Sequence, residues 1–205
     1  MDNLLRYQVD HPEAQRLADL AGIKQDLKEV VKSAELFLSS TNDGSETAIL
    51  TSNAIATFAI VTYFRTLASA VRSGVSIDQI RRLPAELQRV HERMKSIRDH
   101  YLAHSINNQE ENAVEVTFDT NGMSIKTLGT SHSRPATFSY SEISSLKKLA
   151  KNLISILEEE YRCELDRVWE FVESLSESDR DLYVVNKNPV AYSEHWRKKR
   201  RKLGF

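Results

Sequence analysis

The sequence predicts a mainly α protein: a four-helix up-down bundle with a small β-hairpin between the last two long helices. Two kinds of hydrophobic spacing carry this expectation. Apolar residues recur at three- and four-residue steps over four long stretches, while one stretch before the last of them alternates residue by residue. Only six glycines and four prolines punctuate the 205 residues, which suits long helices better than a many-turned all-β fold. With 40% hydrophobic residues the chain can bury one substantial core, so we expect one helical domain over residues 1–175 and a C-terminal extension over 176–205.

After "MDNLLRYQVDH", which shows no period, Pro12 to Phe37 carries Leu17, Leu20, Ile23, Leu27, Val30, Val31 and Ala34, with Leu38 just beyond, in helical spacing. "STNDGS" supplies the turn that ends it. A second helix is predicted from Glu46 to Ser73, ending at Gly74 and apolar around much of its circumference, as befits the central helix of a bundle. Ser76 caps a short helix through Leu83, and Pro84 opens the next, which runs to His104 with Leu87, Val90, Met94, Ile97 and Tyr101 as its buried stripe. Val114, Val116 and Phe118, then Met123, Ile125 and Thr127, alternate about "TNG" and predict the hairpin. Ser139 and Glu142, in capping-box spacing, start the last long helix, whose stripe runs from Ile143 through Leu153 and Leu165 to Leu175. From Ser176 the period fades.

The lone cysteine, Cys163, excludes an internal disulfide, and together with the lack of signal-peptide order this sets the expectation of a cytoplasmic protein. "IATFAIVTYF" is flanked by polar residues and is read as too short to cross a bilayer, so no membrane partner is expected. The 28 basic and 29 acidic residues nearly cancel, yet six of the basic ones, Arg197, Lys198, Lys199, Arg200, Arg201 and Lys202, stand together near the C-terminus. The chain is thus an acidic body with a basic handle. That handle, beside Trp196, could grip a phosphate backbone and stack a base, or equally serve as a solubilising or partner-binding end.

The densest chemistry lies in "IRDHYLAHS", Ile97 to Ser105. Arginine keeps its charge and offers a planar fork to phosphate oxygens, and histidine titrates near neutral pH. Together they supply what metal-free RNA cleavage needs: stabilisation of a crowded phosphorane, and proton transfer at the 2′-hydroxyl and the leaving oxygen. On an ideal helix Arg98 and His104 stand roughly 120° apart and about 9 Å along the axis. A helix end that turns back, or two motif copies meeting across a dimer axis, would bring them together; the second fits the spacing better.

"RDHYLAH" resembles the arginine, polar residue, spacer and histidine signature of HEPN domains, closest to the abortive-infection-like branch. "TYFRTLASAVR" before it and "AHSINNQEE" followed by a hairpin and a long helix are similar to that family's order, over roughly residues 48–175. The resemblance implies a metal-independent endoribonuclease that leaves a cyclic phosphate, in phage defence or a toxin system. Arg98 and His104 would be its catalytic pair and Asp99 the residue orienting them, in a homodimer with a composite site. His100, where the branch often has lysine, Ser105 and Asn107 would contact RNA, with a regulatory protein as a further partner. Many HEPN domains are instead non-catalytic modules for dimerisation or for binding RNA or protein, and that alternative stays open.

Plainer roles are available for each residue. Arg98 and Asp99 suit a solvated helix face, and His104 a helix C-terminus where it meets the dipole. Arg65 and Arg72, seven apart on one helix face, are either a phosphate-binding rim or partners of carboxylates such as Glu110 or Glu111. His100 and His104 share a face but lack a third ligand, so neither metal nor cofactor is expected. His91 and His132 have no evident partner in the sequence and are read as surface residues. Glycine-rich phosphate loops, GxSxG and HExxH are all absent.

Overall fold

The computed structural model of the chain describes residues 8–40, 43–67, 73–99, 111–120, 122, 124–133 and 138–185. They form a mainly helical body with a small two-stranded antiparallel hairpin inserted before the last long helix. In chain order the elements are β1 (Gln8–Val9), α1 (Pro12–Ser39), α2 (Glu46–Arg65), α3 (Ile77–Arg81), α4 (Ala85–Ile97), β2 (Glu111–Phe118), β3 (Ile125–Ser133), α5 (Tyr140–Ser174), α6 (Glu177–Tyr183) and β4 (Val184–Val185).

α1 is the spine. Its stripe of Leu20, Ile23, Leu27 and Val30 is fully buried, with α5 and α2 making its broadest contacts. α5, at 35 residues, spans roughly 52 Å and buries Leu146, Leu149, Ala150, Leu153 and Leu157 in the same core. α4 lies against α5, and the short α3 is tied there too: Gln79 closes a capping box with Ser76 while its amide donates to Glu160 of α5 at 2.6 Å. The start of α5 is fixed by the expected box. Glu142 N–H donates to Ser139 Oγ at 3.2 Å, Ser139 N–H donates to the Glu142 carboxylate at 3.0 Å, and Arg93 of α4 donates to the same carboxylate at 3.1 Å. Burial pushes the Glu142 carboxyl up, but the hydrogen bonds from Ser139 and Arg93 outweigh it and hold it below the usual range.

Four expectations are corrected. α2 stops at Arg65, short of Ser73, because the chain finds other partners there: Thr66 Oγ1 donates to the Tyr63 carbonyl at 2.6 Å, Val75 N–H to the Thr66 carbonyl at 2.8 Å and Ser73 N–H to Asp19 of α1 at 2.9 Å. Next, the segments Gln8–Val9 and Val184–Val185, where the sequence shows no period, form strands. β1 pairs antiparallel with β4, Asp10 N–H donates to the Tyr183 carbonyl at 2.8 Å, and the His11 ring stacks on Phe171 at 4.4 Å. The segment after Ser176 therefore carries α6 and β4 back onto the start of α1. The short helix after Ser76 ends at Arg81, with Leu83 buried just beyond it. Finally, α2 is long and apolar enough to cross a membrane by length and composition, with a mean hydropathy of 1.4, although Ala56, Ala59, Ile60 and Tyr63 on its inner face are fully buried in protein.

In the hairpin Val116 faces Leu128 and Thr117 faces Thr127, and a register shift then sets Phe118 opposite Ile125. The shift leaves Lys126 as the extra residue of a bulge. Gly122, at φ +69, takes the left-handed conformation that the turn requires.

This packing predicts unequal costs along α5. Leu153→Ala, at a fully buried site, should lower unfolding free energy by about 2–5 kcal/mol, whereas Leu165→Ala, at an exposed one, should change it by under about 0.5 kcal/mol, both read by urea denaturation.

Candidate functional site

The motif begins where α4 ends. Leu87, Met94 and Ile97 bury one face of α4, with Val90 partly buried, and this aims the helix so that Arg98 emerges at the margin of the core. Arg98 and Asp99 lie in a widened, π-type turn. Such turns displace side chains from the regular helical track and occur frequently at functional sites.

The Arg98 guanidinium lies 5.0 Å above the Phe64 ring of α2, and its side chain keeps 41% of its surface open to solvent. Its Nε donates to Asp99 Oδ1 at 2.7 Å, and Nη2 donates to the same oxygen. One carboxylate oxygen thus holds two of the five guanidinium donors, so Asp99 orients the fork and neutralises part of its charge. The aromatic face beneath supplies a cation–π contact of about 0.5–1 kcal/mol at such a half-open site.

Phe64 is itself held in place. Its ring meets Tyr63 edge-on at 5.0 Å, and the Tyr63 hydroxyl lies 2.7 Å from His91 Nδ1. Tyr63 is fully buried, and His91 nearly so. Burial pushes the Tyr63 phenol well above its ordinary range, with Glu92 adding to the effect, and burial lowers the His91 imidazole against the opposing pull of Glu92. Nε2 lies 3.8 Å from Glu92, and the tautomer that turns Nε2–H toward that carboxylate has the Tyr63 hydroxyl donating to Nδ1. The surface role expected for His91 is corrected: it is the buried hinge pin between α2 and α4. Its signal in the sequence was a histidine in phase with Leu87 and Met94, but its partner is 28 positions away.

Arg65 has an intramolecular partner. Its Nε donates to Asp26 Oδ2 of α1 at 3.2 Å and its Nη2 to Oδ1, so α1 supplies a carboxylate to it. His100, His104, Ser105, Asn107, Arg72 and the basic run Arg197 to Lys202 lie outside the described residues, as does Tyr101. The structure brings together Arg98, Asp99 and Phe64, with Tyr63 and His91 behind them. His132 sits in β3 opposite Asn112. Among the described residues no group of three or more His, Cys, Asp or Glu side chains is placed to hold a metal ion.

Comparison of the chain with profiles of known protein families, with curated proteins and with solved structures finds no match.

The Tyr63–His91 pair makes a signed prediction. The folded His91 pKa lies below its unfolded value of about 6.5, so the unfolded chain binds the proton first and stability falls as pH drops through that value. The melting temperature should fall between pH 7 and 5, and His91→Gln should be less stable at pH 7 but flatter across that interval.

Proposed function

We propose that the chain is a metal-independent endoribonuclease of HEPN type, acting in the cytoplasm as a homodimer in phage defence or as a toxin. The observation that carries this is the setting of Arg98: a permanent cation at a helix end, seated on Phe64, steered by Asp99 and still open to solvent. In the reaction the 2′-hydroxyl attacks the adjacent phosphorus, the P–O5′ bond breaks, and a 2′,3′-cyclic phosphate and a 5′-hydroxyl are left. Arg98 stabilises the added negative charge of the phosphorane through donors not engaged by Asp99, and His104 moves the proton. The spacing of the two residues admits a site within one chain or a composite one across the dimer axis. His100, Ser105 and Asn107 would line the RNA path and the basic run would hold its backbone. Arg65 would serve as a rim only by sharing its charge between Asp26 and phosphate.

A second reading has one observation behind it. The contact with Asp99 already offsets part of the charge of Arg98, as suits a module that binds RNA or protein without cutting.

Cleavage of a mixed labelled RNA in EDTA separates the two. The account expects cutting by the wild type and a loss of roughly 10²-fold or more in both His104→Ala and Arg98→Ala with the fold intact. Equal cutting by wild type and His104→Ala would end the assignment, and RNA binding without turnover in every form would favour the module. Deleting Arg197 to Lys202 should weaken RNA binding at low salt and flatten its salt dependence.

A further inference from the structure

The second half of α5 presents apolar side chains on an acidic surface. Trp169 is 66% exposed, and Leu165, one turn before it, is 44% exposed. Residues three and four apart on a helix are neighbours, so Asp166 and Glu173 border this pair. From Leu165 to Asp181 the chain holds six carboxylates, all of them exposed, against two arginines. One of the two, Arg167, is already engaged by Glu13 and Glu164. A tryptophan set among carboxylates suits a cationic, partly aromatic ligand, because its ring attracts cations and the charge around it repels phosphate.

We propose that the segment from Trp196 to Lys202 of the same chain docks on this face. That segment lies outside the described residues, but the place from which it departs is set by the fold. Val185 pairs with Gln8, His11 follows three residues later and stacks on Phe171, and Phe171 is two residues from Trp169. The basic run is therefore tethered at the end of the body that carries the carboxylates. Ten residues separate Val185 from Trp196, a reach of up to about 35 Å, whereas the face from Leu165 to Glu173 is roughly 12 Å long. A short tether makes binding intramolecular, at high effective concentration. The six cations from Arg197 to Lys202 match the six carboxylates in number, and Trp196 precedes them as an apolar partner for Trp169 and Leu165.

Other segments fit less well. The seven residues before β1 depart from the same place but carry one arginine and one aspartate, so they offer no excess of cations. The stretch after the motif departs from the opposite end of α5, where Arg93 meets Glu142, roughly 40 Å along the helix from Trp169. The contact stands apart from the RNA chemistry, and only its consequence rests on the proposed function: RNA and this face compete for one basic run, so the run reaches RNA by leaving α5.

The chain has only two tryptophans, so Trp196→Phe leaves Trp169 as the one reporter. In that full-length protein acrylamide should quench Trp169 poorly at low salt. Replacing each of Arg197 to Lys202 by serine, or raising salt to about 0.5 M, should increase the quenching constant about twofold or more with helical circular dichroism unchanged. A Trp169 open to acrylamide from the outset would overturn the proposal. So would protection that survives both changes, since another segment would then cover the face. Protection lost on dilution would give the basic run to a second copy and overturn the same-chain contact. Polyuridylate should raise quenching to the level of the serine variant, and protection unchanged by it would overturn the competition. Release by polyuridylate without cleavage would leave the contact standing where the nuclease reading falls.

Discussion

Burying a tyrosine completely obliges the protein to satisfy its hydroxyl from within, since an unpaired polar group in the core costs about 1–3 kcal/mol. Tyr63 meets that constraint through His91, and the consequence reaches further than one hydrogen bond. The pair ties α2 to α4 through a buried bond. Phe64 is adjacent to it on α2, and Arg98 follows His91 by seven positions, just past the end of α4. The candidate site is the surface expression of a buried contact.

Around that contact the long helices are tied by ion pairs that cross from α1 to α5. Arg16 donates to Glu160 at 2.8 Å, and Lys24 donates to Glu158 at 2.6 Å while lying 3.7 Å over the Tyr161 ring. Lys24 draws the Glu158 carboxyl below its ordinary range, with Arg162 adding to the effect. These pairs sit at the margins of an apolar seam that supplies most of the stabilisation, and their worth is in register more than in energy. They set which turn of α5 faces which turn of α1, and through Gln79 they hold α3 in the same register.

Much of the fold was legible because its signals are local. Pro12, the Ser139 and Glu142 box, the leucine period of α5 and the alternation through Val116 act within a turn or two of themselves, and the structure places those elements where the pattern puts them. The features that were not legible depend on partners remote in sequence. Past the end of α2 at Arg65, the Thr66 carbonyl accepts from the Val75 amide and Asp19, on another helix, accepts from the Ser73 amide. The strands β1 and β4, two residues each, are too short to show a period, and neither exists without the other. His91 carries no sign of Tyr63, and Arg65 none of Asp26. At the candidate site the arginine and its aspartate were visible as types, whereas the aromatic seat beneath them was visible only as apolar pattern. That Phe64 seats Arg98 rather than merely filling the core follows from the crossing of two helices.

The chemistry proposed for Arg98 stands on one claim, that the 2′-hydroxyl of the RNA is the nucleophile and no metal-bound water takes part. Analysis of product ends tests it most directly. The account predicts 2′,3′-cyclic phosphate and 5′-hydroxyl termini, with DNA of the same sequence left uncut. Products ending in 3′-hydroxyl and 5′-phosphate would contradict it.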